Sequence, residues 1–418
     1  MKITSARIFG FVFFAAFFRV PHYYAQVSRD LEYYLNAGAA NHPQFFDYIN
    51  RIKSGKIDSL KIDASQKPQI NLNSQILIAP SSKYVGYDDA ITNGGNYSSL
   101  VGISQPMFNQ KTLKPQYESI RTENQSTNLL TQIDEHQLKK QITDQYISTF
   151  SDRGDIIYLQ GLDKLLAEED TILKQLVSAG LCKQTDYISL KLERKANEIR
   201  ISEAENQYLS DLRQLNLLCG IKDTVHYILS DPGIVKSELK SPQNSPLNEQ
   251  FTIDSLRLAV QKSSVDVRYL PRLNWFADAG FLSASPLTIP KHFGVSAGIN
   301  LVVPLYDGKQ KGMDYQKIKI SDETRTRYQQ YFISQYNLQL SVLDEEIISN
   351  ESRLSAVNEQ IELSQSLIAA EKIQMNRGDL SVLTFILALR DQVEMRKDKY
   401  NIQLKKMKLI NEWNYANW

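Results

Sequence analysis

The side chains that usually carry chemistry are all present, but their spacing does not assemble them. His22, His42, His136, His226 and His292 are scattered, and none has another ligand type four residues away, the offset that places two metal ligands on one helix face. Cys182 and Cys219 stand 37 residues apart and make no metal-binding pair. Serine, aspartate and lysine abound, yet no Gly-x-Ser-x-Gly elbow, P-loop or glycine-rich phosphate cradle is written in the chain. The expectation is a protein that is not an enzyme and holds no cofactor and no metal. What does recur at fixed spacing is a chemistry of solvation. Asn71, Asn73, Asn274 and Asn300 are interleaved with Ile70, Leu72, Ile76, Leu273, Trp275, Ile299 and Leu301. Each such stretch presents amides on one side and hydrocarbon on the other.

Strands must position these residues, and four are expected, over about 69–79, 97–108, 271–282 and 293–306. They come in two pairs, each joined by a loop rich in serine, glycine or proline. The second strand of each pair ends in the same phrase. Pro106, Phe108, Asn109 and Lys111 are matched by Pro304, Tyr306, Asp307 and Lys309, each 198 residues later. The first strands also open alike, with Pro-x-Ile-Asn71 and Pro-x-Leu-Asn274.

Each strand pair is followed by long helical text. No proline occurs between Pro115 and Pro232 or after Pro304, and apolar residues recur at three and four. Gly180 and Gly378 break this periodicity, each 74 residues beyond its repeated proline. Glycine permits the left-handed backbone at which one helix ends and another begins. The spacing therefore predicts helical hairpins over about 114–220 and 312–413. The leading helix of the first is on the order of 100 Å long at about 1.5 Å per residue. An extended coiled-coil hairpin accommodates such a rod; a compact domain does not.

Shorter helices precede each strand pair. One spans Leu31 to Ser65 and is interrupted at Asn41-His42-Pro43, with Asn41 the expected cap. The other spans Phe251 to Val267. The chain thus divides into a first repeat over 26–229, a linker over 230–249 carrying Pro232, Pro242 and Pro246, and a second repeat over 250–418.

Residues 1–25 stand apart. Lys2 and Arg7 precede an apolar run from Ile8 to Phe18, and Tyr24-Ala25 offers a small-residue cleavage site, the pattern of an export signal. The whole chain of 418 residues carries a net charge of +1. Its near balance argues against a nucleic-acid partner, which needs a clustered basic surface. Two cysteines suit an exported chain held by packing. No apolar run reaches the roughly 18 residues of a membrane helix, so any membrane crossing must use strands.

Strands cross a bilayer only when every edge is closed, because an unpaired backbone group in hydrocarbon costs several kcal/mol. Four strands are too few, since about eight is the smallest barrel. Closure therefore needs more than one copy of the chain. Two copies leave an interior filled by side chains, and three leave an open lumen.

These residues resemble the outer-membrane efflux (TolC-like) family. The likeness lies in the twice-written strand, proline, aromatic, Asp/Asn unit, in the paired helices, and in the turn Gly378-Asp-Leu-Ser-Val-Leu383. Leu31–Pro43 and Leu181–Ile221 match further phrases of the family, so the likeness covers nearly all of 28–415. It implies an α+β membrane protein. The fold would be a trimeric 12-stranded β-barrel, four strands per chain, continued by a long α-helical coiled-coil barrel and built from two internal repeats. It also implies an outer-membrane location in a Gram-negative bacterium, with a periplasmic helical extension. The partners would be a periplasmic adaptor (membrane fusion) protein and an inner-membrane transporter that supplies the energy of efflux or type I secretion. The implied tip and docking residues are Gly180, Leu181, Asp186, Gly378, Asp379, Leu380, Thr384 and Leu387. Family members often carry acids six and nine residues after the second glycine, where this chain has Thr384 and Leu387; in the first hairpin Asp186 remains and Ser189 follows. Outer-membrane lipid would meet Ile70, Leu72, Ile76, Leu273, Trp275, Ile299 and Leu301, and water in the lumen would meet the four asparagines. The competing reading is an exported coiled-coil adaptor or surface stalk without a channel.

Overall fold

The computed structural model describes residues 28–79, 85, 95–107, 110–180, 182–223, 227–377 and 379–418. The expected export signal, Leu181 and Gly378 lie outside the described residues. Among the described residues, seven α-helices and six strands follow in the order β1 (Ser28–Arg29), α1 (Leu31–Asn41), α2 (Pro43–Ser65), β2 (Gln69–Ile78), β3 (Gly95–Met107), α3 (Gln110–Ser178), α4 (Gln184–Leu218), β4 (Ile228–Leu229), α5 (Pro246–Arg268), β5 (Arg272–Ser283), β6 (Phe293–Val302), α6 (Gln310–Arg377) and α7 (Val382–Ala416). Short 3-10 turns cover Pro242–Asn244 and Pro286–Lys291.

The four long strands form one antiparallel sheet in the order β2-β3-β5-β6. Strand β6 stops at Val302, short of the expected reach to residue 306. Pro304 has no N–H for a ladder, and Leu305 and Tyr306 leave the sheet almost fully exposed.

Helix α3 is the spine of the helical part. Towards the sheet, α2 runs antiparallel beside it: Tyr48 donates to Asp134, and Tyr117 of α3 donates to Asp63. Towards the far end, α4 takes the place of α2, with Arg194 3.3 Å from Asp163 and Asn197 donating to the Leu159 carbonyl at 3.0 Å. These two flanking helices meet end to end. Asn41 does not cap α2 as expected; His42 occupies that position without a side-chain bond. Asn41 Nδ2 instead donates to the Cys219 carbonyl at the end of α4, 3.0 Å away. Gly220, at φ +65°, ends α4 with both bonds of a Schellman cap, Ile221 N–H to Asn216 O at 2.8 Å and its own N–H to Leu217 O at 3.1 Å.

The other flank of α3 is built alike. Near the sheet α5 lies between α3 and α6, bonding Arg257 to Glu123 at 3.0 Å and Arg268 to Asp314 at 3.4 Å. Farther away α7 takes that place, bonding Asn411 to Asp144 of α3 at 2.8 Å and Lys406 to Glu351 of α6 at 2.8 Å. Helix α5 begins at the Ser245-Pro246 cap, five residues before the expected Phe251. The chain therefore has two lateral edges. One is formed by β2, α2 and α4, and the other by β6 and the full length of α6.

The segment between β4 and α5 is bound along its length to the end of α7. Asn417 accepts from Lys240 N–H at 2.7 Å and donates to the Glu238 carbonyl at 2.6 Å. Trp413 Nε1 donates to the Ser237 carbonyl at 3.0 Å, and Ser237 N–H donates to Asn414 at 2.8 Å. Lys236 adds an ion pair with Asp344 of α6. Three apolar clusters hold the helices: Tyr34, Ile142, Tyr146, Leu212 and Leu215 where α1 meets the first hairpin; Tyr336, Leu340, Leu409 and Trp413 in the second; and one at the hairpin ends.

Candidate functional site: sheet faces and hairpin ends

The pairing register sets the site residues of the sheet face by face. Leu273 pairs with Leu301, Asn274 with Asn300 and Trp275 with Ile299. Ile70 pairs with Ile103 and Leu72 with Val101; these continue to Ala277 and Ala279 on β5. Because side chains alternate along a strand and align across it, Ile70, Leu72, Ile76, Leu273, Trp275, Ile299 and Leu301 all share one face. Asn71, Asn73, Asn274 and Asn300 share the other. The apolar face extends across all four strands, broken by Ser74, Ser99 and Gln105, and much of it is unpacked: Ile76 is 76% exposed and Ile299 68%. The polar face is less uniform than the asparagines suggest, since Leu77, Leu100, Phe276 and Leu282 also lie on it.

The outer edges of β2 and β6 have no hydrogen-bonded neighbour among the described residues. The helices below them carry apolar stripes. On α6, Met313, Ile320, Tyr331, Leu338, Val342, Leu363 and Leu367 are exposed at spacings that return to one side of a helix. On the opposite edge, Phe46, Ile49, Ile57 and Leu60 of α2 and Ile188, Leu192 and Ile199 of α4 do the same.

The two hairpin ends come together. Leu166 and Leu173 of α3, Leu190 of α4, Met375 of α6, and Phe385, Ile386 and Leu389 of α7 form a buried cluster, with Cys182, Tyr187 and Leu380 packed against it. Gly180 adopts φ +72° and its N–H bonds the Val177 carbonyl at 3.0 Å, closing α3. At the other turn, Asp379 N–H reaches Gln374 O at 2.9 Å, and Ser381 caps α7 by accepting from Leu383 N–H at 3.2 Å. Asp186 is half-buried in the first turn of α4, where the helix dipole favours a carboxylate. Asp379, Thr384 and Leu387 point away from the cluster and are exposed.

Sequence reasoning missed the residues that join the hairpins. Phe385 and Ile386 sit between the expected docking positions Thr384 and Leu387, yet they face inward. Glu169, with no exposure at all, is paired across the hairpins with Lys372. Among the described residues no group of three or more His, Cys, Asp or Glu could hold a metal. Farther up the first hairpin, burial and then the neighbouring Asp211 carboxylate push the Asp152 carboxyl well above the usual carboxylate range. Burial lowers His136, whose ring is stacked between Tyr415 and Trp418 with centroids at 4.9 and 4.1 Å.

An open sheet with one largely apolar and one mixed polar face, continued by two long hairpins, is a fold shared with several solved outer-membrane proteins. CusC, solved in a study of transmembrane channel formation, matches with a TM-score of 0.71 at 10% identity, over 93% of this chain and 92% of that one. VceC, an outer membrane protein of the bacterial pathogen Vibrio cholerae, matches with a TM-score of 0.69 at 10% identity, over 93% and 95%. The open state of the outer-membrane channel MtrE of Neisseria gonorrhoeae gives 0.69 at 10% identity, over 93% and 88%. No protein-family model and no curated protein matches the chain. The likeness of fold to outer-membrane channels agrees with the family that the resemblance of motifs named.

Proposed function

We propose that this chain is the outer-membrane conduit of an efflux or type I secretion system. Three copies close a 12-stranded barrel by pairing β6 of one with β2 of the next. The same contact sets the α6 stripe of one copy against the α2 and α4 stripes of its neighbour, continuing the barrel into a helical tunnel through the periplasm. Lipid covers Ile70, Leu72, Ile76, Leu273, Trp275, Ile299 and Leu301, while Asn71, Asn73, Asn274 and Asn300 line the lumen. The conduit is passive and non-enzymatic; an inner-membrane transporter supplies the energy. A periplasmic adaptor docks at the two turns, through Gly180, Leu181, Asp186, Gly378, Asp379, Leu380, Thr384 and Leu387. The two halves of the chain act as structural repeats, since α3 and α6 have 69 and 68 residues and α4 and α7 have 35 each.

The observation that carries the reading is the unpacked apolar sheet face flanked by two unpaired edges. Water would penalise the face and hydrocarbon the edges, so only a closed ring in lipid satisfies both. An adaptor or stalk leaves that face without a partner. The experiment is reconstitution of the purified chain into planar bilayers. Stepwise conductance supports a channel, and intact bilayers with no steps at any protein load would refute it.

A further inference from the structure

The four long strands contain only two charged side chains, Arg272 and Asp278. Both lie on the polar face, at even positions of β5 with Asn274. Arg272 is at the helix-side end and exposed. Asp278 is in mid-strand, six residues on, which is about 20 Å along the chain at roughly 3.4 Å per residue. Its cross-strand partners are Gly102 on β3 and Ser296 on β6. Gly280 and Gly298 are its neighbours on the same face. The Phe276 ring lies over Gly298, where a Cβ would come within 2.7 Å of it. No taller polar side chain stands beside the carboxylate, and among the described residues it has no ion pair or hydrogen bond. The face around it is amide, hydroxyl and hydrocarbon, none of which neutralises it.

We infer that Asp278 sets the solute preference of the barrel interior, favouring cationic over anionic solutes, with Arg272 opposing it at the inner end. This rests on the channel reading above. In a closed ring each copy contributes one carboxylate at the same height, and low-dielectric walls focus their field into the lumen. The lumen is wide, so the preference depends on ionic strength. It acts where the screening length is about 10 Å, near 0.1 M salt, and fades where it is about 3 Å, near 1 M.

The test is the reversal potential of the full chain in planar bilayers under a potassium chloride gradient. At about 0.1 M salt the unmodified channel prefers potassium. Asp278→Asn lowers the potassium-to-chloride permeability ratio by roughly twofold or more, Asp278→Lys inverts it, and Arg272→Gln raises it. The unmodified channel also loses its preference as salt rises towards about 1 M, a readout that needs no variant. Conducting Asp278→Asn and Asp278→Lys channels with an unchanged ratio would overturn the inference, as would a preference that survives high salt. Absence of conductance from the unmodified chain would overturn the channel reading and this inference with it.

Discussion

Glu169 Oε1 and Lys372 Nζ lie 2.6 Å apart although they belong to different hairpins, and Glu169 is wholly buried. The ammonium approaches off the line of a hydrogen bond, and neither carboxylate oxygen has another donor. Among the described residues Lys372 is therefore the only charge compensating this carboxylate at close range, in a layer that also holds Leu166, Leu173 and Met375. Removing one member of a buried pair strands the other, which costs more than the pair contributes.

Lys372→Ala should accordingly destabilise the hairpin ends by about 3 kcal/mol, seen as a lowered midpoint in thermal unfolding. The double substitution Glu169→Leu with Lys372→Met should recover most of that loss. A Lys372→Ala midpoint equal to that of the unmodified chain would show that the carboxylate is solvated.

The sheet register separates adjacent residues by environment. On the proposed barrel, Leu301→Lys would place a cation in lipid and should cost about 2–4 kcal/mol near the bilayer middle. Asn300→Lys would place it in the proposed lumen and should be tolerated. Yield of folded, membrane-inserted protein reads the difference, and equal damage from both would invert or abolish the assigned faces.

Stability should depend on Asp152. In the folded chain its carboxyl is raised from an ordinary 3.8 to about 8, first by burial and then by Asp211, with Asp155 adding and Lys408 opposing. The folded state thus keeps a proton that the unfolded state releases, and stability falls as pH rises from about 4 through about 8. Asp152→Asn removes that proton exchange and should flatten unfolding midpoints measured from pH 5 to pH 9. His136 works in the opposite direction, because a lowered value makes stability fall as pH drops below its ordinary 6.5. An Asp152→Asn profile as steep as the original would refute the assignment.

The turns should matter for export and not for insertion. Gly180 holds φ +72°, a conformation that a β-branched residue adopts at high cost. Gly180→Val and Gly378→Val should leave the protein in the outer membrane but depress efflux in cells. Full efflux from both variants would place the adaptor elsewhere.

Much of this architecture was legible in the sequence because it obeys local periods. Strand faces follow from Asn274 beside Leu273 and Trp275, and the long helices follow from apolar recurrence without proline. What was not legible depends on partners far away in the chain. The tie between Lys240 and Asn417 spans 177 residues and consists of side-chain bonds to backbone, which leave no periodic trace. The two-residue pair β1 and β4 is too short for a pattern. The Glu169–Lys372 pair reads locally as two ordinary helix charges. Asn41 was misread as a cap because its distant acceptor, the Cys219 carbonyl, lies in another helix.

The central claim is that one chain is an open segment and that unlike edges, β6 of one copy and β2 of the next, close it. The most direct measurement is the native mass of the detergent-solubilised full chain, combined with a cross-link between Val295→Cys on β6 and Ser74→Cys on β2 in a background lacking Cys182 and Cys219. The account predicts a mass of three protomers and a covalent ladder that ends at three. A monodisperse monomer with its strand content intact, or a ladder that ends at two, would contradict it.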